Sequence, residues 1–163
     1  MKKQKKRNKP YRPREKSWST IGAVMFSACI EDQDPDVHRE VMSRAYLQLT
    51  ALTSGIMRPE GFQTLVIVNG FGLYLLNELL PTLTDESLAH VKDIQSVTMS
   101  AAEHLVSIGQ RFSRTGKFGA TGDELKIIRE SISMTDEIMK TATIGQSMRA
   151  FKRASIDCET ARP

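Results

Sequence analysis

The residues best equipped for chemistry sit near the amino end. Lys2, Lys3, Lys5, Lys6, Arg7, Lys9, Arg12, Arg14 and Lys16 place nine cations in positions 1–16, against the single acid Glu15 and with one aromatic ring, Tyr11, among them. Cations at this density neutralise phosphates and release condensed counterions, and the ring offers a face on which a base can stack. The pattern predicts weakly sequence-dependent contact with DNA or RNA through these ten residues. The competing reading of a lysine-rich run is a solubilising tail that attracts any polyanion. A second basic group, Arg111, Arg114 and Lys117, accompanies Gly116, Gly119 and Gly122 ahead of a helix start, the setting of an anion site. It lacks the G-x-x-x-x-G-K-[ST] spacing of a phosphate loop, because Lys117 is followed by Phe118. The expectation is an interhelical loop, with a secondary anion patch as the alternative.

The residues of acid–base, metal and nucleophilic chemistry are scattered. Glu86 precedes His90 by four positions, Glu103 adjoins His104, and His38 stands apart. Neither pair has the Glu-x-x-His spacing of a metal site in a helical bundle. Cys29 and Cys158 are 129 positions apart with no CxxC, so neither a disulfide scaffold nor a zinc site is encoded. No local Ser-His-Asp or Cys-His arrangement suggests a nucleophile. The expectations are no enzyme activity, no cofactor, no metal and no small-molecule substrate.

Outside the arm the charge reverses. Positions 1–16 carry +8, whereas the other 147 residues hold 14 basic and 18 acidic side chains, a body of −4. The pI of about 9.2 therefore describes the arm. At 163 residues, 40% hydrophobic and 26% charged, the chain has the size and composition of one globular domain. Pro10, Tyr11 and Pro13 follow the first lysines where a secretory signal would need an apolar run, and two free thiols suit a reducing compartment. The longest uncharged stretch, residues 61–77, has 17 residues and includes Gln63, Thr64, Asn69, Gly70 and Gly72, too short and too polar for a membrane span. A cytoplasmic protein without membrane contact is expected.

The elements that must position these groups read as helices. Residues 1–16 contain no aliphatic side chain after Met1 and are expected to form a disordered arm. The body is expected to span 17–155, with a frayed tail over 156–163. A short apolar stretch, residues 21–30, leads to the acidic cluster Glu31, Asp32, Asp34 and Asp36, where Asp34-Pro35 starts a helix. Val37, Val41, Ala45, Leu49, Leu52 and Ile56 mark its apolar face to about Gly55. Residues 59–80 allow two readings. As strands, TLVIV and FGLYLL flank Asn69-Gly70, a hairpin dipeptide. As a helix, the segment is apolar on nearly every side, like the central member of a bundle, and its length, proline start and Pro81 stop favour this reading. Gly70 and Gly72 would then permit close helix packing.

Thr84 with Asp85 and Glu86 opens the next helix, whose face is Val91, Ile94, Thr98, Ala101, Leu105, Ile108 and Phe112. Thr121-x-x-Glu124 is a capping box ahead of Leu125, Ile128, Ile132, Met139 and Ala142. Thr143 is placed to cap a further short helix through Met148 and Phe151. The fold class is all-α, a four- to five-helix bundle with a disordered basic amino-terminal arm. The eight methionines fill a core in the simplest reading or line an adaptable groove in the other. The uncharged helix is the stronger interface candidate, because a small bundle has difficulty covering all of its sides.

On three stretches the chain resembles a family of small uncharacterised helical proteins from bacteriophage and prophage genomes. They are KPYRPRE at 9–15, a helix carrying Leu65, Asn69 and Tyr74-Leu75, and the loop GKFGATGDEL at 116–125. The resemblance implies a helical segment 60–80, a phage or prophage source and a bacterial host cytoplasm as the location. It implies no mechanism and carries over no catalytic or binding residue.

Two functions are compatible with these residues. One is a non-enzymatic regulatory or accessory protein whose helical body positions the basic arm on nucleic acid. The other is a protein–protein interaction module, an oligomeric adaptor or an inhibitor of a host protein, that works through its acidic body and apolar helix. Residues 59–91 contain no Lys or Arg, which argues against a recognition helix in that segment.

Overall fold

The computed structural model describes residues 35–82 and 85–160. The basic arm, the apolar stretch 21–30 and Thr84 lie outside these residues. Five α-helices account for most of the described chain: α1 Pro35–Thr53, α2 Pro59–Leu79, α3 Asp85–Thr115, α4 Gly122–Thr141 and α5 Ile144–Thr160. A 3₁₀ turn, Leu80–Thr82, follows α2, and no strand occurs among the described residues. The fold is an all-α bundle. No helix among them is long and apolar enough to cross a membrane.

Helix α2 is the centre, in contact with each of the other four. Its start needs no side-chain cap, because Pro59 occupies the first turn, where the missing N–H costs nothing. From Gly61 to Leu80 only Asn77 is exposed. Leu65, Leu75 and Leu76 are completely or almost completely buried, and each such burial contributes about 2 kcal/mol. The ambiguity between hairpin and helix thus resolves in favour of the helix, since a two-stranded ribbon could not enclose so many consecutive apolar side chains. The segment read as an interface candidate is covered within one chain.

The faces read from periodicity are largely those that pack. Val41, Ala45, Leu49 and Leu52 of α1 are buried, as are Val91, Ile94, Thr98, Ala101, Leu105 and Ile108 of α3. Ile56 is corrected: α1 ends at Thr53, Gly55 takes a positive φ of 70° in the turn, and Ile56 is left 73% exposed while Met57 turns inward. The methionines divide, with Met42 and Met57 buried and Met99 exposed. Helix α5 is longer than expected. It continues through Thr160, beyond the tail expected to fray from 156, because its inner edge is tied to α2 at several levels. Gln146 Nε2 donates to the Glu78 carbonyl at 3.2 Å, Arg149 Nε donates to Glu78 Oε2 at 2.7 Å, and the Tyr74 hydroxyl donates to Asp157 Oδ2. The Thr143 cap is present, as a reciprocal box in which Thr143 N donates to Gln146 Oε1 and Gln146 N to Thr143 Oγ1.

The apolar core is in two parts. One joins α1 to the first half of α2, the second half of α3 and the first half of α4; the other joins the second half of α2 to the first half of α3 and to α5. Between them lie four buried polar residues, Asn69, Thr98, Ser131 and Thr135. Ser131 Oγ donates to Asn69 Oδ1 at 2.6 Å, and Asn69 Nδ2 donates to the Thr98 carbonyl at 3.2 Å. The Thr98 and Thr135 hydroxyls turn back onto the carbonyls of Ile94 and Ser131. Beside them Gly72 touches α4 so closely that a Cβ would stand 2.3 Å from Thr135 Oγ1. Gly72 therefore serves the close packing expected of it. Gly70 does not, since a Cβ there would meet Ala154 at an ordinary 3.6 Å.

Two outcomes follow for stability. Leu76→Asp places a carboxylate where the side chain is 1% exposed and should cost more than about 4 kcal/mol, enough to unfold the chain in circular dichroism melts. Gly72→Ala should destabilise by about 1–3 kcal/mol through overpacking, and Thr135→Ala in the same chain should restore part of the loss, because it removes the colliding hydroxyl. Additive losses in urea titrations of the double variant would show that the two residues do not meet.

Candidate functional site

Of the residues expected to bind anions, Arg111, Arg114 and Lys117 belong to the described chain, where α3 passes into α4. The turn is built first from helix chemistry. Gly116, with φ of 70°, ends α3, its N–H donating to the Phe112 carbonyl at 2.7 Å. Phe118 then folds inward between Phe62 of α2 and Phe112 of α3, with ring centroids 4.7 and 4.0 Å away, so the loop is anchored by a three-ring stack. Thr121 completes the expected capping box: Glu124 N donates to Thr121 Oγ1 at 3.3 Å, and Thr121 N donates to Glu124 Oε2 at 2.7 Å.

That box places the Glu124 carboxylate in the interior, and Arg111 answers it. Arg111 Nη2 donates to Glu124 Oε1 at 2.8 Å and to Oε2 at 2.6 Å. Its Nε donates to the Gly119 carbonyl at 3.1 Å and its Nη1 to Ser107 Oγ at 3.1 Å. Burial alone would push the Glu124 carboxyl up. The Arg111 guanidinium and the Thr121 N–H together outweigh it and hold the carboxyl below the usual glutamate range.

Of the three residues grouped as a secondary anion patch, Arg111 has its guanidinium engaged by one carboxylate, one carbonyl and one hydroxyl. Arg114 and Lys117 are exposed, with Arg114 Nε donating to the Gln110 carbonyl at 3.4 Å. Composition could not reveal this, because Arg111 and Glu124 are 13 positions apart and belong to different helices. The box itself was the available signal, since it holds the Glu124 carboxylate at the start of α4, next to the loop that α3 enters.

The other candidates are likewise engaged or dispersed. His38 of α1 brings Nε2 to 2.7 Å from Asp136 Oδ1 of α4, without the alignment of a hydrogen bond. Lys140 Nζ lies 3.5 Å from the same carboxylate. His90 is exposed and His104 half-buried on α3, and no group of three or more His, Cys, Asp or Glu suited to a metal ion occurs among the described residues. Cys158 is a half-buried cysteine on α5. One concavity of about 330 Å³ runs along the seam of α1 and α2. Its floor is Val41, Ile67, Val68 and Phe71, its rim Arg44, Gln48, Glu60 and Thr64, and Phe151 of α5 closes one end. It contains no histidine and no cysteine, and sequence reasoning had not identified it, because its residues come from three helices.

The Arg111–Glu124 pair sets a pH dependence. A carboxyl whose folded pKa is depressed contributes stability that is present above its unfolded pKa and is lost as pH falls through the folded value. Denaturant midpoints should therefore fall on acidification through and below the ordinary glutamate range, and the fall should be smaller in Glu124→Gln. At neutral pH, Arg111→Met should cost about 2 kcal/mol by leaving a buried carboxylate without its cation, less than for a fully buried pair because the Arg111 side chain keeps 31% of its exposure. An Arg111→Met variant as stable as the parent would remove the pair from the fold's support.

No family model matches this chain, and neither the curated proteins nor the solved structures compared with it give a match, so the reading of function rests on its own residues.

Proposed function

We propose that the chain is a small non-enzymatic accessory or regulatory protein, of phage type and acting in the cytoplasm of a bacterial host, whose helical body carries a basic arm that binds DNA or RNA. The observation that carries this reading is the separation of charge: +8 over residues 1–16 against −4 over the rest. Attraction to phosphate requires cations that are not already neutralised. In the body, Arg44 pairs with Glu40, Arg111 with Glu124, Lys140 with Asp136 and Glu137, and both Arg149 and Arg153 with Glu78. These pairs spend five of the body's cations on its own carboxylates. The arm holds nine with one acid among them, and Tyr11 adds a stacking face. The phage assignment is supported by the resemblance over residues 9–15, 65–75 and 116–125.

A body of net negative charge repels phosphate, so the arm is the attractive element. If about five arm cations meet phosphates, log affinity for duplex DNA should fall with log salt at a slope of about −4 to −5. Fluorescence anisotropy at several salt concentrations, with duplex DNA and single-stranded RNA, measures this. A chain lacking residues 1–16 should lose the binding while keeping its helical circular dichroism. Equal binding by the truncated chain, or no binding by the intact chain at low salt, would overturn the proposal in favour of a protein–protein interaction module.

A further inference from the structure

We infer that the groove along the seam of α1 and α2 is the docking site of this chain's own apolar stretch, residues 21–30. The two are matched in chemistry, in place and in length. Eight of the ten residues are apolar, namely Ile21, Ala23, Val24, Met25, Phe26, Ala28, Cys29 and Ile30, with no charge between Lys16 and Glu31. Such a stretch gains free energy by leaving water, and the groove offers it Val41, Ile67, Val68, Phe71 and Phe151.

The place follows from the chain path. Helices α1 and α2 are joined by a short turn and run antiparallel, with Gln48 against Gly61 near that turn. Val41 therefore marks the other end of the groove, and α1 begins at Pro35, six residues earlier. The chain enters α1 beside the Val41, Phe71 and Phe151 end. Residues 31–34 span up to about 13 Å when extended, enough to reverse direction and lead the preceding stretch back over the groove.

Length agrees as well. Glu60 and Phe71, at the two ends of the α2 floor, are eleven residues apart on one helix, about 16 Å. Ten residues cover about 15 Å even when wound as a helix. A volume of about 330 Å³ accepts a few apolar side chains and leaves the backbone above the rim, where Gln48 and Thr64 offer polar groups. The inference is independent of what the basic arm binds.

The natural thiol at Cys29 supplies the test. In a Cys158→Ser chain, a nitroxide attached to Cys29 should broaden the methyl resonances of Val41, Ile67 and Val68 at every protein concentration, with recovery on reduction by ascorbate. Absence of broadening overturns the inference. A mixture of unenriched spin-labelled chain with isotope-enriched unlabelled chain separates the remaining case: broadening seen in the mixture, and lost on dilution, assigns the groove to a second copy and also overturns it. Hydrogen exchange on the unsubstituted chain gives a readout independent of the thiol variants. Amides of 21–30 should exchange at least tenfold more slowly than those of 2–16 after correction for sequence, and equal rates for the two segments count against docking.

Discussion

A helix that is apolar around its whole circumference has to be enclosed on every side, and in this protein that constraint falls on α2. The four other helices are arranged by it. Helices α1, α3, α4 and α5 each present one amphipathic face to α2 and leave the opposite face to water. Apolar contact alone would tolerate small slides of one helix along another, since it is non-directional. The Ser131, Asn69 and Thr98 bonds remove that freedom, because a shift by one turn would leave three buried polar groups without partners. Gly72 against Thr135 adds a steric stop at the same level. The centre of the bundle thus combines a large unspecific attraction with a small, directional key.

What the sequence reveals follows from which physics is local. Apolar periodicity and end chemistry act within one helix, so the faces of α1 and α3, the Thr121 and Thr143 caps and the central position of α2 are legible without coordinates. The polar layer is less so. Ser131 and Thr135 lie on the same face as Ile128, Ile132 and Ile138, but hydroxyls on an apolar face do not declare their partners. Asn69 beside Gly70 even carries a hairpin signal, which the length of the segment, its proline start and the Pro81 stop outweigh. Arg111 is likewise opaque in the sequence, which does not declare that a carboxylate 13 residues away engages its guanidinium. Helix α5 was read as short because its inner edge mixes Arg149, Arg153 and Asp157 with small apolar residues. The four-residue spacing of those charges fits a helix edge, but their partners Glu78 and Tyr74 are 71 to 83 positions away.

The same accounting bears on function. On the proposed reading, a protein that pairs five of the body's fourteen cations with its own carboxylates while keeping nine others in one short segment separates support from attraction. In the described helices the glycine-rich loop between α3 and α4 is organised around an ion pair and an aromatic stack. On that reading the surface that meets a ligand belongs to segments attached to the bundle, and the groove lies beside the start of α1.

The distance in sequence between α2 and α5 also bears on biosynthesis. Chains emerge from the ribosome amino end first, so α1 and α2 are available to pair well before residues 144–160 have been made. Until then the side of α2 that carries Phe71, Leu75 and Leu76 lacks its cover from Phe151, Ala150 and Ala154. For the time of translating more than 60 residues after α2, the most apolar surface of the protein is open on one flank. The nascent chain is thus at its most adhesive midway through synthesis, and docking of α5 is the step that ends its exposure to chaperones and to neighbouring nascent chains.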